Sequence, residues 1–341
     1  MEPADERRLL HGLGGLRISP RTYRRVCLAT VWALGFIIVT GAAVRLTDSG
    51  LGCKDWPTCA HNRVVAPWQY HAMVEFGNRM VTGLVCVAIV AAVLASMVRG
   101  PRRRDLVWLS WGLVAGLVGQ IVLGGEAVLH HLEPQFVMAH FMLSLVLLGD
   151  AVVLYHRSGF ADGPADARGR AQPAGPAAPL VPAEVMTMGR LLIVSVSLVI
   201  FLGTVVTSSG PHGGDPTAPR FRLSLHDVAR YHSSAAILFL CLTVVALWRM
   251  VQAGAPHDVI RRGEILLVVL FAQGGVGYLQ YFTGVPSWLV QIHVTLAATL
   301  WVVTLQFVLG LTRRPSIPAA EAVTVPHPDE AVVGASVLAP V

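Results

Sequence analysis

HAMVEFGNRMVTGL, residues 71–84, indicates how the chain is organised, because the chain repeats it imperfectly as LHDVARYHSSAAIL at residues 225–238. Aligning Asn78 with His232 gives an offset of 154 residues. Within one residue, the same offset holds for two further pairs, His140 with His293 and Gly124 with Gly277. A single offset that spans three apolar segments indicates a tandem duplication. In both copies polar side chains lie inside long apolar runs, where they are costly unless something binds or pairs them.

The composition indicates a polytopic membrane protein with an all-α fold. Hydrophobic residues make up 54% of the chain and charged residues 13%, and the mean hydropathy is +0.61. Apolar runs of about 20 residues are long enough to span the hydrocarbon core as helices. Eight such runs are predicted, near residues 26–47, 72–98, 106–128, 135–156, 187–208, 226–249, 263–283 and 287–311.

The distribution of basic residues predicts the orientation in the cell membrane. Of the 26 Lys and Arg residues, 19 fall in segments that are cytoplasmic if the amino terminus is, and 7 fall elsewhere. Because cytoplasmic segments are enriched in Lys and Arg, both termini are predicted to be cytoplasmic. The net charge of +6 then reflects topology, and no nucleic-acid partner is inferred. The first 25 residues are too polar and basic to contain the apolar stretch of a cleavable signal peptide.

The predicted spans divide the chain into two four-helix halves. Because four helices is an even number, both halves have the same orientation and are related by a pseudo-twofold axis along the membrane normal. The predicted regions are a cytoplasmic arm at 1–25, an N-terminal half at 26–157, a disordered linker at 158–185, a C-terminal half at 186–312 and a disordered tail at 313–341.

The second predicted helix carries two polar residues on one side. Glu75 and Asn78 are spaced i, i+3, about two turns below the outer surface. An ionisable group at that depth is a functional candidate by default. The alternative is that Glu75 is a structural partner of Arg79 or part of a helix cap.

Histidines in later helices are candidate metal ligands. His140 lies in an otherwise apolar helix, where it could also be a core residue with its own partner, but its repeat partner His293 favours a ligand role. His232 and His293 are predicted at equal depth on facing helices, without the carboxylates or thiolates of a zinc or dimetal site. Heme fits better, since the macrocycle supplies four nitrogens.

Two further groups accompany these candidates. Arginines near the outer ends could pair with heme propionates, or could face lipid head groups and water: Arg45, Arg79, Arg220, Arg222 and Arg230. Cys53 and Cys59 lie in the first outer loop, where an oxidising environment favours a disulfide over two free thiols. Small residues such as Gly124 could serve helix packing or leave room for a flat ligand.

The motifs VRLTDSGLGCKDWPTC (residues 44–59) and EFGNRMVTG (residues 75–83), with the half-repeat histidines, resemble heme A synthase over essentially all eight helices. The resemblance implies oxidation of a methyl group of heme O to a formyl group, by two hydroxylations of the same carbon. It implies a heme b bound by His232 and His293 in the C-terminal half. The substrate site would lie in the N-terminal half. Its matching residues would be His140 as ligand, Glu75 as essential carboxylate and Cys53–Cys59 as loop disulfide.

One position departs from the family pattern. Three residues after the glutamate, better-known members have a second histidine, and this chain has Asn78. A carboxamide is a poor iron ligand, so the sequence favours a five-coordinate heme O held by His140, with Asn78 and Glu75 on the opposite face as catalytic residues. His71, His130 and His131 are alternative ligands that nothing in the sequence requires.

Partners and competing functions follow from this interpretation. The predicted partners are heme O, the lipid bilayer, heme O synthase, an unidentified electron donor and a second copy of the chain. One competing hypothesis is a diheme electron-transfer cytochrome linked to quinone, which accounts for the histidines but not for Glu75. The other is a proton-coupled transporter built from parallel repeats, which would bind no heme.

Overall fold

Eight long helices run through the part of the chain that the computed structural model describes, residues 17–59 and 65–317. They are α1 (Pro20–Leu46), α2 (Tyr70–Val98), α3 (Arg104–Leu129), α4 (Pro134–Ser158), α5 (Ala183–Ser209), α6 (Leu225–Gln252), α7 (His257–Phe282) and α8 (Ser287–Leu309). Each is long and apolar enough to cross a membrane, which confirms the predicted all-α class with eight spans. Most of the predicted arm and tail, residues 1–16 and 318–341, lies outside the described residues.

Two helices begin six residues before their predicted apolar runs, because a helix extends through polar turns that the membrane criterion excludes. Helix α1 begins at Pro20, where the Ser19 side chain accepts a hydrogen bond from the backbone N–H of Thr22 at 3.1 Å. Helix α7 begins at His257 after Pro256, and Asp258 lies in its first turn. An acidic residue there interacts favourably with the positive end of the helix dipole.

The first and last helices of each half form the centre of the molecule. Within the halves α1 packs on α2, α3 on α4, α5 on α6 and α7 on α8. Helices α1, α4, α5 and α8 also pack on one another across the two halves. Side chains hydrogen-bond across this interface; for example, the Trp301 indole donates to the Leu145 carbonyl at 2.8 Å, and the Gln291 amide donates to the Val39 carbonyl at 3.1 Å.

The segment between the halves differs from the expectation of a disordered linker. Strand β1 (Arg102–Arg103), in the α2–α3 connection, pairs in parallel with β2 (Arg170–Ala171). Strand β3 (Ala178–Pro179) pairs antiparallel with β4 (Thr312–Arg313), directly after α8. The linker therefore joins the α2–α3 turn to the end of α8.

Buried charge explains why this segment is ordered despite its Ala, Pro and Gly composition. The Asp162 carboxylate accepts two hydrogen bonds of 2.9 Å from Arg99 and lies 3.8 Å from an Arg103 nitrogen. Both arginine side chains are fully buried. A buried guanidinium requires a compensating carboxylate. The linker provides it for Arg99, and Asp105 in the first turn of α3 provides it for Arg103 at 2.7 Å.

Candidate functional site

One cavity of about 1100 Å³ extends through both halves of the described structure. It is lined mainly by apolar side chains of the helices, with a small number of polar groups, as in cofactor and small-molecule sites. The lining includes these predicted site residues: Arg45, Glu75, Asn78, Arg79, His140, Arg230, His232 and His293.

His232 and His293 face each other across the C-terminal part of the cavity, with ring centres 6.3 Å apart and ring planes at 69°. Two imidazoles that share one metal ion through bonds of about 2 Å have ring centres roughly 6 Å apart. The observed separation therefore fits a pair of axial ligands. No cluster of three or more His, Cys, Asp or Glu side chains suited to a bare metal ion occurs within residues 17–59 and 65–317.

The hydrogen bonds of both rings are consistent with a lone pair on Nε2. His232 Nδ1 lies 2.9 Å from the Val199 carbonyl oxygen, and because a carbonyl only accepts, Nδ1 carries the proton. His293 Nε2 lies 3.1 Å from the Gln273 amide nitrogen. Since that nitrogen only donates, His293 Nε2 holds a lone pair. Both rings can thus bind iron through Nε2, and the residues present fit a heme.

Each of the three predicted ligand histidines packs against a glycine of a neighbouring helix. A Cβ added at Gly124 would lie 3.3 Å from His140 Cε1, one at Gly203 would lie 3.1 Å from His232 Cε1, and one at Gly277 would lie 3.0 Å from His293 Cε1. These glycines make room for the imidazole edges.

Asn78 occupies the position in the first half that corresponds to His232 in the second half. Its side-chain oxygen accepts a hydrogen bond of 2.8 Å from Thr40 Oγ1. The adjacent Gly41 corresponds to Gly203 in the outer-loop repeat, and nothing lies within 4 Å of where its Cβ would be. The first half therefore keeps an open space beside Asn78 where the second half has an imidazole.

The three alternative histidines lie away from this space. His71 Nδ1 lies 3.0 Å from the Ser49 hydroxyl, and His130 Nε2 lies 3.2 Å from a Glu126 carboxylate oxygen. Neither they nor His131 is among the described residues that line the cavity. The structure thus brings Asn78 and His140 to the cavity but not these histidines.

Glu75 is tied to the first outer loop. One carboxylate oxygen accepts the backbone N–H of Cys53 at 2.7 Å, and the other accepts hydrogen bonds from Arg79 at 2.6 and 3.1 Å. Arg79 also donates to loop carbonyls, those of Asp55, Pro57 and Thr58. Cys53 and Cys59 form the predicted disulfide. Glu75 therefore lines the cavity and also anchors the loop through Arg79.

This network has no counterpart in the second half. The repeat offset of 154 residues aligns Glu75 with Ala229 and Arg79 with Ser233. The corresponding outer loop, residues 210–224, contains no cysteine. The duplicated halves therefore share the histidine and glycine framework but differ in a carboxylate, its arginine partner and a disulfide-bonded loop.

The predicted propionate-binding arginines have different surroundings. Arg45 reaches from α1 into the second half, where its guanidinium donates to the carbonyls of His212 at 2.9 Å and Thr207 at 3.4 Å. Arg230 is exposed, with its guanidinium 5.8 Å from the centre of the Tyr231 ring. Arg220 and Arg222 are not among the described lining residues.

Two glutamines that the sequence reasoning missed also line the cavity. Gln120 and Gln273 are separated by 153 residues, the offset of the His140 and His293 pair. Their side-chain oxygens are buried without a hydrogen-bond partner. The shared offset is the signal that could have identified them.

Comparisons with known proteins identify the family of this chain. The sequence model of the COX15-CtaA family, described as cytochrome oxidase assembly protein, matches residues 24–71 and 65–305. A heme A synthase of Symbiobacterium thermophilum is 29% identical over 74% of this chain and 83% of that protein. A heme A synthase of Listeria monocytogenes is 24% identical over 84% of this chain and 94% of that protein.

A shorter match has higher identity. A heme A synthase of Geobacillus kaustophilus is 32% identical over 114 residues. That alignment spans 33% of this chain and only 35% of the relative's length. Because the family match extends from the first helix into the eighth, the chain belongs to the COX15-CtaA family of cytochrome oxidase assembly proteins.

Proposed function

We propose that this chain is a heme A synthase, a membrane oxidoreductase that converts a methyl group of heme O to the formyl group of heme A. The observation that carries the proposal is the asymmetry of a duplicated heme-binding framework. One half presents two facing imidazoles, and the other pairs a single histidine with an open space, an amide and a carboxylate. A resident cofactor and an exchanging substrate require such a difference.

The second half would hold heme b. His232 and His293 would be its axial ligands, and their Nε2 lone pairs and 6.3 Å separation support this assignment. When bound, this heme supplies one-electron redox chemistry. The protein contributes the orientation of both rings, through the Val199 carbonyl and the glycine packing.

The first half would hold heme O as substrate. His140 would bind its iron, and Asn78 and Glu75 would lie on the opposite side. The side-chain oxygen of Asn78 accepts a hydrogen bond from Thr40 Oγ1. The two N–H groups of the Asn78 amide would then donate to a small ligand in the open space. Glu75 would orient the reacting methyl group and move protons at its carboxylate oxygens.

The proposed reaction hydroxylates one methyl carbon twice, and each step would consume one dioxygen, two electrons from the donor and two protons, and release one water. The resulting geminal diol loses water and leaves the aldehyde. Arg79 keeps the Glu75 carboxylate fixed relative to the loop through two hydrogen bonds, which limits how far the carboxylate can move between the two steps. Precise positioning of this kind is a large part of catalysis.

Arg45 and Arg230 would pair with propionates at the outer end of the cavity. The hydrogen-bond partners of the Arg45 guanidinium in the described chain are carbonyl oxygens, so its charge is available to an anionic ligand. Arg79 stays a propionate candidate from the sequence, although Glu75 and three loop carbonyls already engage it.

The location and partners complete the proposal. The protein is multi-pass in the membrane, and the arginine distribution supports the cell membrane with both termini in the cytoplasm. The disulfide loop then lies on the oxidising side. Heme O synthase would supply the substrate, and an electron donor would complete the redox cycle.

The test is production of heme A in cells that make heme O but have no other heme A synthase. Hemes extracted after expression of this chain are separated by chromatography. Appearance of heme A or hydroxylated heme O supports the proposal. Heme b as the sole pigment would favour a diheme electron-transfer cytochrome instead, and purified protein without any heme would favour a transporter.

A further inference from the structure

The glutamines Gln120 and Gln273 form a repeated pair that the two halves use differently. Each precedes the ligand histidine of its half by 20 residues, His140 in the first and His293 in the second. Both side chains line the cavity, and both have a buried side-chain oxygen without a partner. Their amide nitrogens, however, have different acceptors.

In the second half the amide contacts the ligand ring. Gln273 Nε2 lies 3.1 Å from His293 Nε2, the nitrogen that would bind iron. An iron atom at a bond length of about 2 Å would occupy the same lone pair. A heme held by His293 would therefore compete with the Gln273 amide for this nitrogen.

In the first half the amide is held away from the ring. Gln120 Nε2 donates to the His140 carbonyl at 3.1 Å and to the Ser144 hydroxyl at 2.7 Å, so both of its hydrogens are used. The Ser144 hydroxyl in turn donates to the same carbonyl at 2.9 Å. The repeat offset of 153 residues places Ala297 at the position of Ser144, and alanine provides no hydroxyl.

We propose that Ser144 is a positioning residue that withdraws Gln120 from the ligating nitrogen of His140. The first half can then take up and release a heme without displacing an amide, as an exchanging substrate requires. The second half has no hydroxyl at this position, and there the Gln273 amide contacts the ligand nitrogen. The inference rests on the proposed function for the identity of the exchanging ligand, heme O.

The test is a double-mutant cycle on heme O binding. Full-length protein that carries its second-half heme is titrated with heme O in detergent micelles, and binding is followed by heme absorbance. In Ser144→Ala, the Gln120 amide can donate to the ligating nitrogen of His140, as Gln273 Nε2 does to His293 Nε2. Loss of one hydrogen bond on heme binding raises the Kd about threefold to tenfold. In a Gln120→Ala background, Ser144→Ala changes the Kd less than about twofold.

Controls separate positioning from a general effect on the helix. Ser144→Thr keeps the hydroxyl and retains wild-type affinity. Ser197→Ala removes a hydroxyl that donates to the Ile193 carbonyl at 2.8 Å, away from the cavity, and leaves the Kd unchanged. An unchanged or lower Kd in Ser144→Ala, or an equal rise in the Gln120→Ala background, overturns the inference. Wild-type protein that binds no heme O would instead contradict the proposed function.

Discussion

Each predicted ligand histidine faces a glycine of the neighbouring helix, in both halves of the chain. His140, His232 and His293 each lie beside a glycine where an added Cβ would come within 3.0–3.3 Å of the ring, closer than an ordinary van der Waals contact. A methyl group there would require the ring to shift by a few tenths of an ångström, which strains a close-packed site. The glycines are thus part of the site, although they carry no chemistry.

Gly277→Ala tests this rule in the second half. The added Cβ would lie 3.0 Å from His293 Cε1 and 3.4 Å from Nδ1, so we expect the ring to turn and the affinity for heme b to fall about tenfold or more. Heme retained per chain after purification measures the effect. Gly35→Ala is the matched control, because nothing lies within 4 Å of its Cβ position. Full heme retention in Gly277→Ala would contradict the rule.

Asn78→His tests the open space of the first half. Gly41 leaves room beside this position, so an imidazole can be accommodated opposite His140. We expect ferric heme O bound in this variant to change from high spin to the low-spin signal of two imidazole ligands. Electron paramagnetic resonance measures it, with Asn78→Gln as the control that keeps a carboxamide. A low-spin, two-imidazole signal already present in wild type would disprove the five-coordinate site.

The sequence predicted the site residues themselves better than the residues that contact them. The repeat and the apolar surroundings singled out His140, His232, His293 and Glu75. The contact between Glu75 and the Cys53 amide was not predictable, because it depends on a loop that folds back over 22 residues. The roles of Gln120 and Ser144 likewise depend on which helix faces are adjacent, which periodicity does not specify.

At the element scale, the first outer loop and α2 form one unit held by Arg79. Removing the guanidinium in Arg79→Leu deletes its hydrogen bonds to Glu75 and to three loop carbonyls. Hydrogen bonds to charged groups contribute about 1.5–3 kcal/mol each. We therefore expect amide hydrogen exchange in residues 53–59 to accelerate at least about tenfold. Mass spectrometry of the exchanged peptides measures it.

Arg230→Leu provides the comparison, because this arginine lies on the cavity wall but is exposed. We expect unchanged exchange in the loop for that variant. Equal exchange in Arg79→Leu and wild type would show that the disulfide alone keeps the loop in place.

The connection between the halves is a second structural unit. Asp162→Ala leaves the fully buried Arg99 without its carboxylate partner, whereas Arg103 keeps its ion pair with Asp105. Removing one partner of a buried ion pair costs about 3 kcal/mol or more. We expect a lower denaturation midpoint in detergent, measured by circular dichroism. Asp166→Ala, whose ion pair with Arg170 is exposed, should leave the midpoint nearly unchanged, and equal midpoints for both variants would contradict this account.

Element boundaries were predictable to within a few residues wherever hydropathy determined them. The ordered conformation of the linker was not predictable, because its composition is typical of disordered segments. Its order comes from the buried Arg99 at the end of α2, far away in sequence, whose guanidinium pairs with the Asp162 carboxylate of the linker.

Across the whole molecule, the duplication explains why both halves share one framework of histidines and glycines. The sequence predicted two halves in the same orientation. It did not predict that α1, α4, α5 and α8 form their interface, because a repeat relates equivalent helices without specifying which of them meet. Arg45 shows the consequence, since a residue of the first half contacts the outer loop of the second.

The central claim is that the first half binds the substrate heme and the second half a resident heme b. The most direct test is chromatography of hemes extracted from purified wild type and His140→Ala, both expressed in cells that make heme O. We predict about one heme b per chain in both proteins, with heme O and its oxidised products present in wild type and lost from His140→Ala. A variant that loses heme b but still carries heme A would contradict the account.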